Sequence, residues 1–110
     1  MTTSSPSMEV TDNLEQSRFE LRMDGELVGI EGYRVEGAVD DPRHAGAGSV
    51  VAFMHTVVQE EVSHRGLAAV LVGRALDEAR DRGWLVRPVC TYVQRFLDRH
   101  PGYEDVAPGR

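Results

Sequence analysis

The segment that most constrains the fold is residues 49–58, Ser-Val-Val-Ala-Phe-Met-His-Thr-Val-Val, an almost entirely apolar run of strand length. Its β-branched content is typical of a central strand that is covered on both faces. Residues 65–82 then repeat apolar side chains at helical spacing, and Gly83 is a natural helix stop. Residues 84–90 are another strand-like run, in which Pro88 predicts an edge position or a local break in pairing. Together these segments predict a βαβ-type crossover.

Two earlier segments show the alternation of β-strands. In residues 17–23 apolar side chains alternate with charged ones, which indicates a strand with one buried face. Asp24 and Gly25 then favour a hairpin turn. Residues 26–37 form the second strand, with Glu31 on the same face as a leucine, a glycine and a tyrosine.

The two ends of the chain differ in character. Residues 91–100 predict a short helix that Pro101 ends. Residues 1–14 are rich in Ser, Thr and Pro without a periodic apolar pattern, so they are predicted to be a flexible tail. Residues 15–110 are predicted to be a single α+β domain with the element order β-β-β-α-β-α, in which the helices pack on a mixed sheet.

Composition and charge exclude several classes of protein. A length of 110 residues suffices for one domain, and 12 basic against 18 acidic residues give a net charge of −6, which argues against a nucleic-acid-binding protein. No apolar run is long enough to cross a bilayer, and residues 1–16 lack the apolar segment of a secretory signal. The single cysteine, Cys90, fits a reducing compartment, so a cytoplasmic location is expected. The four histidines and Cys90 lack metal-ligand spacing, and no metal site is predicted.

The start of the predicted helix raises the functional question. Gly66 and Ala68 occupy its first turn, where Ser, Asp or Glu would stabilise a helix better. Small residues there leave backbone N–H groups open to an anion, and Arg65 would add positive charge. The same residues also suit a tight strand-to-helix turn that needs Gly66 only for packing. The pattern by itself leaves both interpretations open.

The loop before this helix resembles the pyrophosphate-binding motif of the GNAT superfamily of acetyl-CoA-dependent N-acetyltransferases, written Gln/Arg-x-x-Gly-x-Gly/Ala. Gly66 and Ala68 take the two small positions, and Ser63 stands where Gln or Arg is usual.

Three further motifs make the resemblance more specific. A small, single-domain GNAT-like group carries His-Thr-x-Val, Pro-x-Cys and His-Pro-x-Tyr in this order. In this chain they are residues 55–58, 88–90 and 100–103. The resemblance runs from about Phe19 to Tyr103, which is most of the chain.

The resemblance implies a compact, minimal GNAT-like fold and an N-acetyltransferase that takes acetyl-CoA as cosubstrate. The acceptor would be an amine, on a small molecule or a peptide. Larger members place helices between their first two strands, commonly as part of the acceptor site, and this chain is too short for them, so the acceptor stays unidentified. The alternative is a non-catalytic CoA- or acyl-CoA-binding or protein-interaction module with the same fold.

The resemblance also implies where the cosubstrate binds. The end of the strand before the helix offers backbone groups to the pantetheine arm, and N–H groups at the helix start face the pyrophosphate. The implied binding residues are Thr56, Val57, Val58, Ser63, His64, Arg65, Gly66, Leu67 and Ala68.

Cys90 and His55 are the candidate catalytic residues. Larger GNAT enzymes protonate the CoA thiolate with a tyrosine, and Asp98 takes that place here. The resemblance implies that Cys90 lies near the thioester, where it could protonate the thiolate, accept the acetyl group as a nucleophile, or simply pack as a small apolar side chain. His55 could act as a general base or be satisfied by a hydrogen bond in the core. Tyr92 and Tyr103 are the alternative acids.

Overall fold

The structure is a computed structural model that describes residues 7–37, 39–59 and 66–108. The described strands and helices are, in chain order, β1 (Met8–Asn13), β2 (Arg18–Met23), β3 (Glu26–Val35), β4 (Val50–Val58), α1 (Leu67–Asp81), β5 (Leu85–Pro88) and α2 (Thr91–Arg99). Short 3-10 turns lie at Pro42–His44 and Pro101–Tyr103.

The strands form one sheet in the order in which they occur along the chain. β1 to β4 are antiparallel neighbours, and β5 joins β4 in parallel after the crossover through α1. A parallel neighbour requires such a long connection, whereas antiparallel neighbours need only hairpins. The predicted crossover and the mixed α+β sheet with packed helices are therefore confirmed.

The tail predicted for residues 1–14 is wrong for its second half. Residues 8–13 form β1, which pairs along its whole length with β2. The side chain of Asp12, 7% exposed, accepts hydrogen bonds from Tyr33 at 2.7 Å and from Arg82 at 2.5 Å. Polar contacts thus hold this edge strand, and no periodic apolar pattern marked it in the sequence. Residues 1–6 lie outside the described residues.

The core lies between the sheet and α1. Four aromatic side chains, Phe19, Tyr33, Phe53 and Trp84, contact one another with ring centroids 5.3–6.4 Å apart. α1 adds one face of buried apolar side chains, which are Leu67, Leu71, Val72, Ala75, Leu76 and Ala79. Burial of each large side chain contributes about 1.5–3 kcal/mol. α1 is thereby fixed on the sheet, and its first turn has a defined place at the end of β4.

Among the described residues, no helix is long and apolar enough to cross a membrane.

Candidate active site

The two halves of β4 have different surroundings. Val51, Ala52 and Phe53 are successive residues and point to alternate faces, yet each is 0% exposed. Both faces are therefore covered there, as the sequence predicted. Beyond Phe53 the strand becomes accessible, and Val57 is 55% exposed.

The accessible half of β4 is also where its partner strand ends. β5 pairs with Val50 to Phe53 only. The chain then turns away at Pro88, and the N–H groups of Val89 and Cys90 both donate to the carbonyl of Phe53 at 3.0 Å. In the described part of the chain, residues 55–58 pair with β3 alone. Their other backbone edge is therefore available to an extended ligand.

Cys90 lies at the opening between these strands. It is the residue immediately before α2, it is half-buried, and its thiol is free. Its Sγ lies 3.4 Å from the Oγ1 of Thr56. The structure thus brings together two of the predicted site residues that are 34 positions apart in the sequence.

The surroundings of Cys90 favour its thiolate. Burial alone would raise the pKa of the thiol, but the hydroxyl of Thr56 and the backbone N–H groups of Val93, Tyr92 and Thr56 lower it, and the net shift is downward. No formal capping hydrogen bond joins the sulfur to the first turn of α2. The partial positive charge of the N–H groups at the helix start still stabilises the negatively charged thiolate.

Thr56 connects Cys90 to a third residue, Glu31 of β3. Glu31 and Thr56 are paired across the two strands, and the hydroxyl of Thr56 donates to Glu31 Oε1. The carboxyl group is 0% exposed, and within the described residues its Oε2 has no hydrogen-bond partner. Burial raises the pKa of Glu31 to about 9, a shift that the Thr56 hydrogen bond opposes and the nearby Cys90 reinforces.

Sequence reasoning missed Glu31 as a site residue. The available signal was an acidic side chain on the same strand face as apolar residues, since a buried carboxyl group is costly unless it is neutral or paired. Its proximity to Cys90 could not be derived, because it depends on the register of β3 against β4.

His55 occupies a different place from the one expected for a core histidine. Its side chain is exposed, and a Cβ added at Gly32 would lie 2.3 Å from its Nε2. Gly32 therefore makes room for the imidazole ring, and the alternative of a buried, satisfied histidine is wrong. His55 and Thr56 are successive strand residues and point to opposite faces of the sheet. The structure accordingly does not group His55 with Cys90.

The start of α1 has the open backbone that the sequence suggested. Gly66 has φ 74°, a left-handed conformation that favours glycine, and a Cβ there would meet nothing within 4 Å. Leu67 is buried in the core, whereas Ala68 is half-buried. No acidic side chain lies in the first turn. The N–H groups of this turn have no hydrogen-bond partners within the helix, so they can donate hydrogen bonds to an anion. Ser63, His64 and Arg65 lie outside the described residues.

The alternative acids are less well suited than Cys90. The hydroxyl of Tyr103 donates to Asp77 of α1 at 2.9 Å, which ties it to the helix surface. Burial and this hydrogen bond raise the pKa of Tyr103. Tyr92 follows Cys90 by two residues and is 37% exposed, and burial raises its pKa.

Comparisons with known proteins agree with this fold. A family model described as GCN5-related N-acetyl-transferase matches residues 18–106. Among solved structures, the chain is similar to the ribosomal-protein-alanine N-acetyltransferase from Brucella melitensis biovar Abortus 2308, with 22% identity and a TM-score of 0.54. The match covers 84% of this chain and 62% of that one, and at this identity it shows the fold alone. The search of curated proteins finds no match. The family match spans most of the chain. The chain therefore belongs to the GCN5-related N-acetyltransferases, a family of acyl-CoA-dependent enzymes.

Proposed function

We propose that the chain is an N-acetyltransferase that moves the acetyl group of acetyl-CoA to an unidentified amine. The observation that carries the proposal is the free thiol of Cys90, whose pKa is lowered, at the point where β4 loses its partner strand. Family membership supplies the class of reaction, and the open edge of β4 supplies a place for the donor.

The donor would bind along this edge and at the helix start. Backbone groups of Thr56, Val57 and Val58 would pair with the amides of the pantetheine arm, in the manner of an added strand. The N–H groups of Gly66, Leu67 and Ala68 would receive the pyrophosphate. Ser63, His64 and Arg65, which directly precede Gly66 in the sequence, are the other residues proposed to bind the pyrophosphate.

Positive side chains near the start of α1 support an anionic donor, although the whole chain is acidic. A cavity of about 200 Å³ lies between the two helices, and Ala69 of the first turn of α1 lines it together with Arg95 and Arg99 of α2. These two guanidinium groups oppose the net charge of −6 locally. A ligand with several phosphates would find attraction at this end of the molecule.

The chemistry needs two proton transfers. The amine nitrogen attacks the thioester carbonyl carbon, the new C–N bond forms, and the C–S bond breaks. The nitrogen releases a proton to water or to a base, and the CoA thiolate takes one. In our proposal Cys90 supplies the second proton, because a thiol of lowered pKa gives up its proton readily.

His55 is the proposed base for the amine. Its exposed ring lies beside Gly32, on the face of the sheet opposite to Thr56. The acceptor would therefore approach the thioester from the face of the sheet that carries His55.

We also infer a cytoplasmic location, since the chain has a single cysteine and its thiol is free. Fractionation of cells that produce a tagged form would test it.

Donor binding is tested at Gly66. Gly66→Glu places a carboxylate against the proposed pyrophosphate, and we expect calorimetry to show loss of acetyl-CoA binding. Gly25→Glu is the matched control, because Gly25 also has a positive φ of 83° and open space, but lies in the β2–β3 turn. Both substitutions carry the same backbone strain, so the control should keep donor affinity. Unmodified protein that fails to bind acetyl-CoA at millimolar concentration would overturn the proposal.

Turnover is tested by mass spectrometry of acetyl-CoA mixed with a panel of amines, peptides and polyamines. An acetylated acceptor and free CoA are expected. Donor binding without transfer to any acceptor would instead favour the non-catalytic acyl-CoA-binding module.

A further inference from the structure

Glu31 is buried without the partners that a buried carboxylate needs. It lies on the sheet face that α1 covers, since a Cβ at Gly29, two residues earlier in β3, would contact Leu71 of α1 at 3.4 Å. The hydroxyl of Thr56 is its hydrogen-bond partner among the described residues, and Oε2 has none. A buried carboxylate with too few hydrogen-bond donors is unfavourable. The protonated, neutral carboxyl group is therefore the favoured state at neutral pH.

Thr56 forms a continuous path between this carboxyl group and the thiol. Its hydroxyl contacts Glu31 Oε1 on one side and Cys90 Sγ, at 3.4 Å, on the other. A hydroxyl donates one hydrogen and accepts at its lone pairs, so it can donate to one neighbour while it accepts from the other. When the direction of both hydrogen bonds reverses, one proton has passed from end to end.

We propose that Glu31 is a positioning residue that holds a proton for Cys90 and exchanges it through the hydroxyl of Thr56. Its part in catalysis rests on the acetyl transfer proposed above. The exchange itself is a property of the protein without ligand.

The proton path balances in one cycle. The S–H bond of Cys90 breaks as the CoA sulfur takes the proton. The O–H bond of Thr56 breaks to restore the thiol, and the O–H bond of Glu31 breaks to restore the hydroxyl. Glu31 is left as a carboxylate, and the proton that the amine releases, by way of His55 and water, returns to it along the same path. Its raised pKa drives that return at neutral pH.

Two titratable side chains of the flanking strands face away from Glu31. Glu20 and His55 are strand neighbours of residues on the α1 face, so they lie on the opposite face of the sheet. From α2, the backbone N–H of Tyr92 faces the thiol, and the Tyr92 ring is 37% exposed. From α1, Leu71 packs over this part of β3. Residues 60–65 lie outside the described residues.

The test is the pH profile of alkylation of Cys90, the only thiol in the chain, by iodoacetamide in ligand-free protein. Two groups that share a proton titrate in two macroscopic steps, so the wild-type rate should rise with pH in two steps. Glu31→Gln keeps the shape but cannot ionise, and its profile should show a single step. Thr56→Val removes the hydroxyl, and it should lower the rate at about pH 8 by about tenfold, because the thiol loses a hydrogen bond that lowers its pKa and less thiolate is present.

Two variants serve as controls. Thr56→Ser keeps the hydroxyl and should keep the two-step profile. Glu20→Gln neutralises the other buried glutamate and should also leave the profile unchanged. Melting temperatures of all variants show whether each one is folded. A one-step wild-type profile that coincides with that of Glu31→Gln would overturn the proposal, as would a Thr56→Val profile equal to wild type.

The two proposals can fail independently. Alkylation requires neither acetyl-CoA nor an acceptor. A two-step profile in a protein without turnover would therefore support the proposed proton exchange and refute the proposed acetyl transfer. Turnover together with a one-step profile would support the proposed acetyl transfer and refute the proposed role of Glu31.

Discussion

Glu20 of β2 and Glu31 of β3 are both buried, at 4% and 0% exposure, but they lie on opposite faces of the sheet. Glu20 accepts hydrogen bonds from Arg18 and Arg22, each at 2.8 Å, and from Asn13 at 3.0 Å. Both oxygens of its carboxylate therefore have hydrogen-bond donors. Glu31 has a threonine hydroxyl on one oxygen, and its other oxygen has no partner among the described residues.

The two pKa values follow from this difference. For Glu20, burial alone would raise the pKa, but the hydrogen bonds from Arg22, Asn13 and Arg18 prevail and lower it to about 2. For Glu31, burial prevails and raises the pKa to about 9. Burial by itself thus does not decide the charge of a carboxyl group; the number of donors around it does. A buried carboxyl group with sufficient hydrogen-bond donors stays ionised, whereas a buried carboxyl group with too few donors keeps its proton at neutral pH.

The largest expected effect is on how the free energy of unfolding depends on pH. The pKa of Glu31 is about 9 in the folded state and about 4.5 without the fold, so across that window the folded protein keeps a proton that the unfolded chain has lost. The free energy of unfolding should therefore fall as pH rises, with a slope of up to about 1.4 kcal/mol per pH unit from this group.

Glu31→Gln should remove that slope, as measured by urea unfolding between about pH 5 and pH 9. Glu20→Gln should leave it in place, because its own contribution changes only between about pH 2 and pH 4.5. A wild-type slope that persists in Glu31→Gln would mean that another group causes it.

The next effect is on turnover. Cys90→Ala removes the thiol at the end of the proton path, and turnover should fall by roughly 100-fold while acetyl-CoA affinity is nearly kept. Steady-state kinetics and calorimetry measure the two quantities. Glu20→Gln is the control, because the hydrogen bonds of Glu20 are to Asn13, Arg18 and Arg22 and not to a proposed site residue, and its turnover should equal that of wild type.

The same variant separates two roles for the thiol. A nucleophilic Cys90 predicts a protein species heavier by one acetyl group after brief exposure to acetyl-CoA, and this species should be absent in Cys90→Ala. An acid role predicts no such species in either protein. Normal turnover in Cys90→Ala would make Cys90 a packing residue.

The smallest effect concerns Glu20 at neutral pH. Glu20→Gln removes the charge that pairs with Arg18 and Arg22, and it should cost about 1–2 kcal/mol of unfolding free energy, since both arginines are about a third exposed. Urea unfolding measures this cost. A change below about 0.5 kcal/mol would show that solvent screens these pairs as it does ordinary surface pairs. The difference between the two glutamates would then come from Glu31 alone.

Some features of the fold were predicted because they depend on local pattern. The apolar run of β4, the helical spacing of α1 and the proline in β5 are properties of consecutive residues, and they sufficed for the crossover. β1 was missed because it has no periodic apolar pattern. It is held by backbone pairing with β2 and by contacts such as that of Asp12 with Arg82, 70 positions away, which no local pattern records.

The sequence by itself determined the parallel crossover, the small residues at the start of α1 and the motif that contains Cys90. Each of these is set by residue type and spacing over a few positions. The tertiary structure alone decided that Thr56 meets both Glu31 and Cys90, and that His55 does not share their face. The physical reason is strand register, because a slip of one residue between β3 and β4 would turn Glu31 to the other face without any change of sequence.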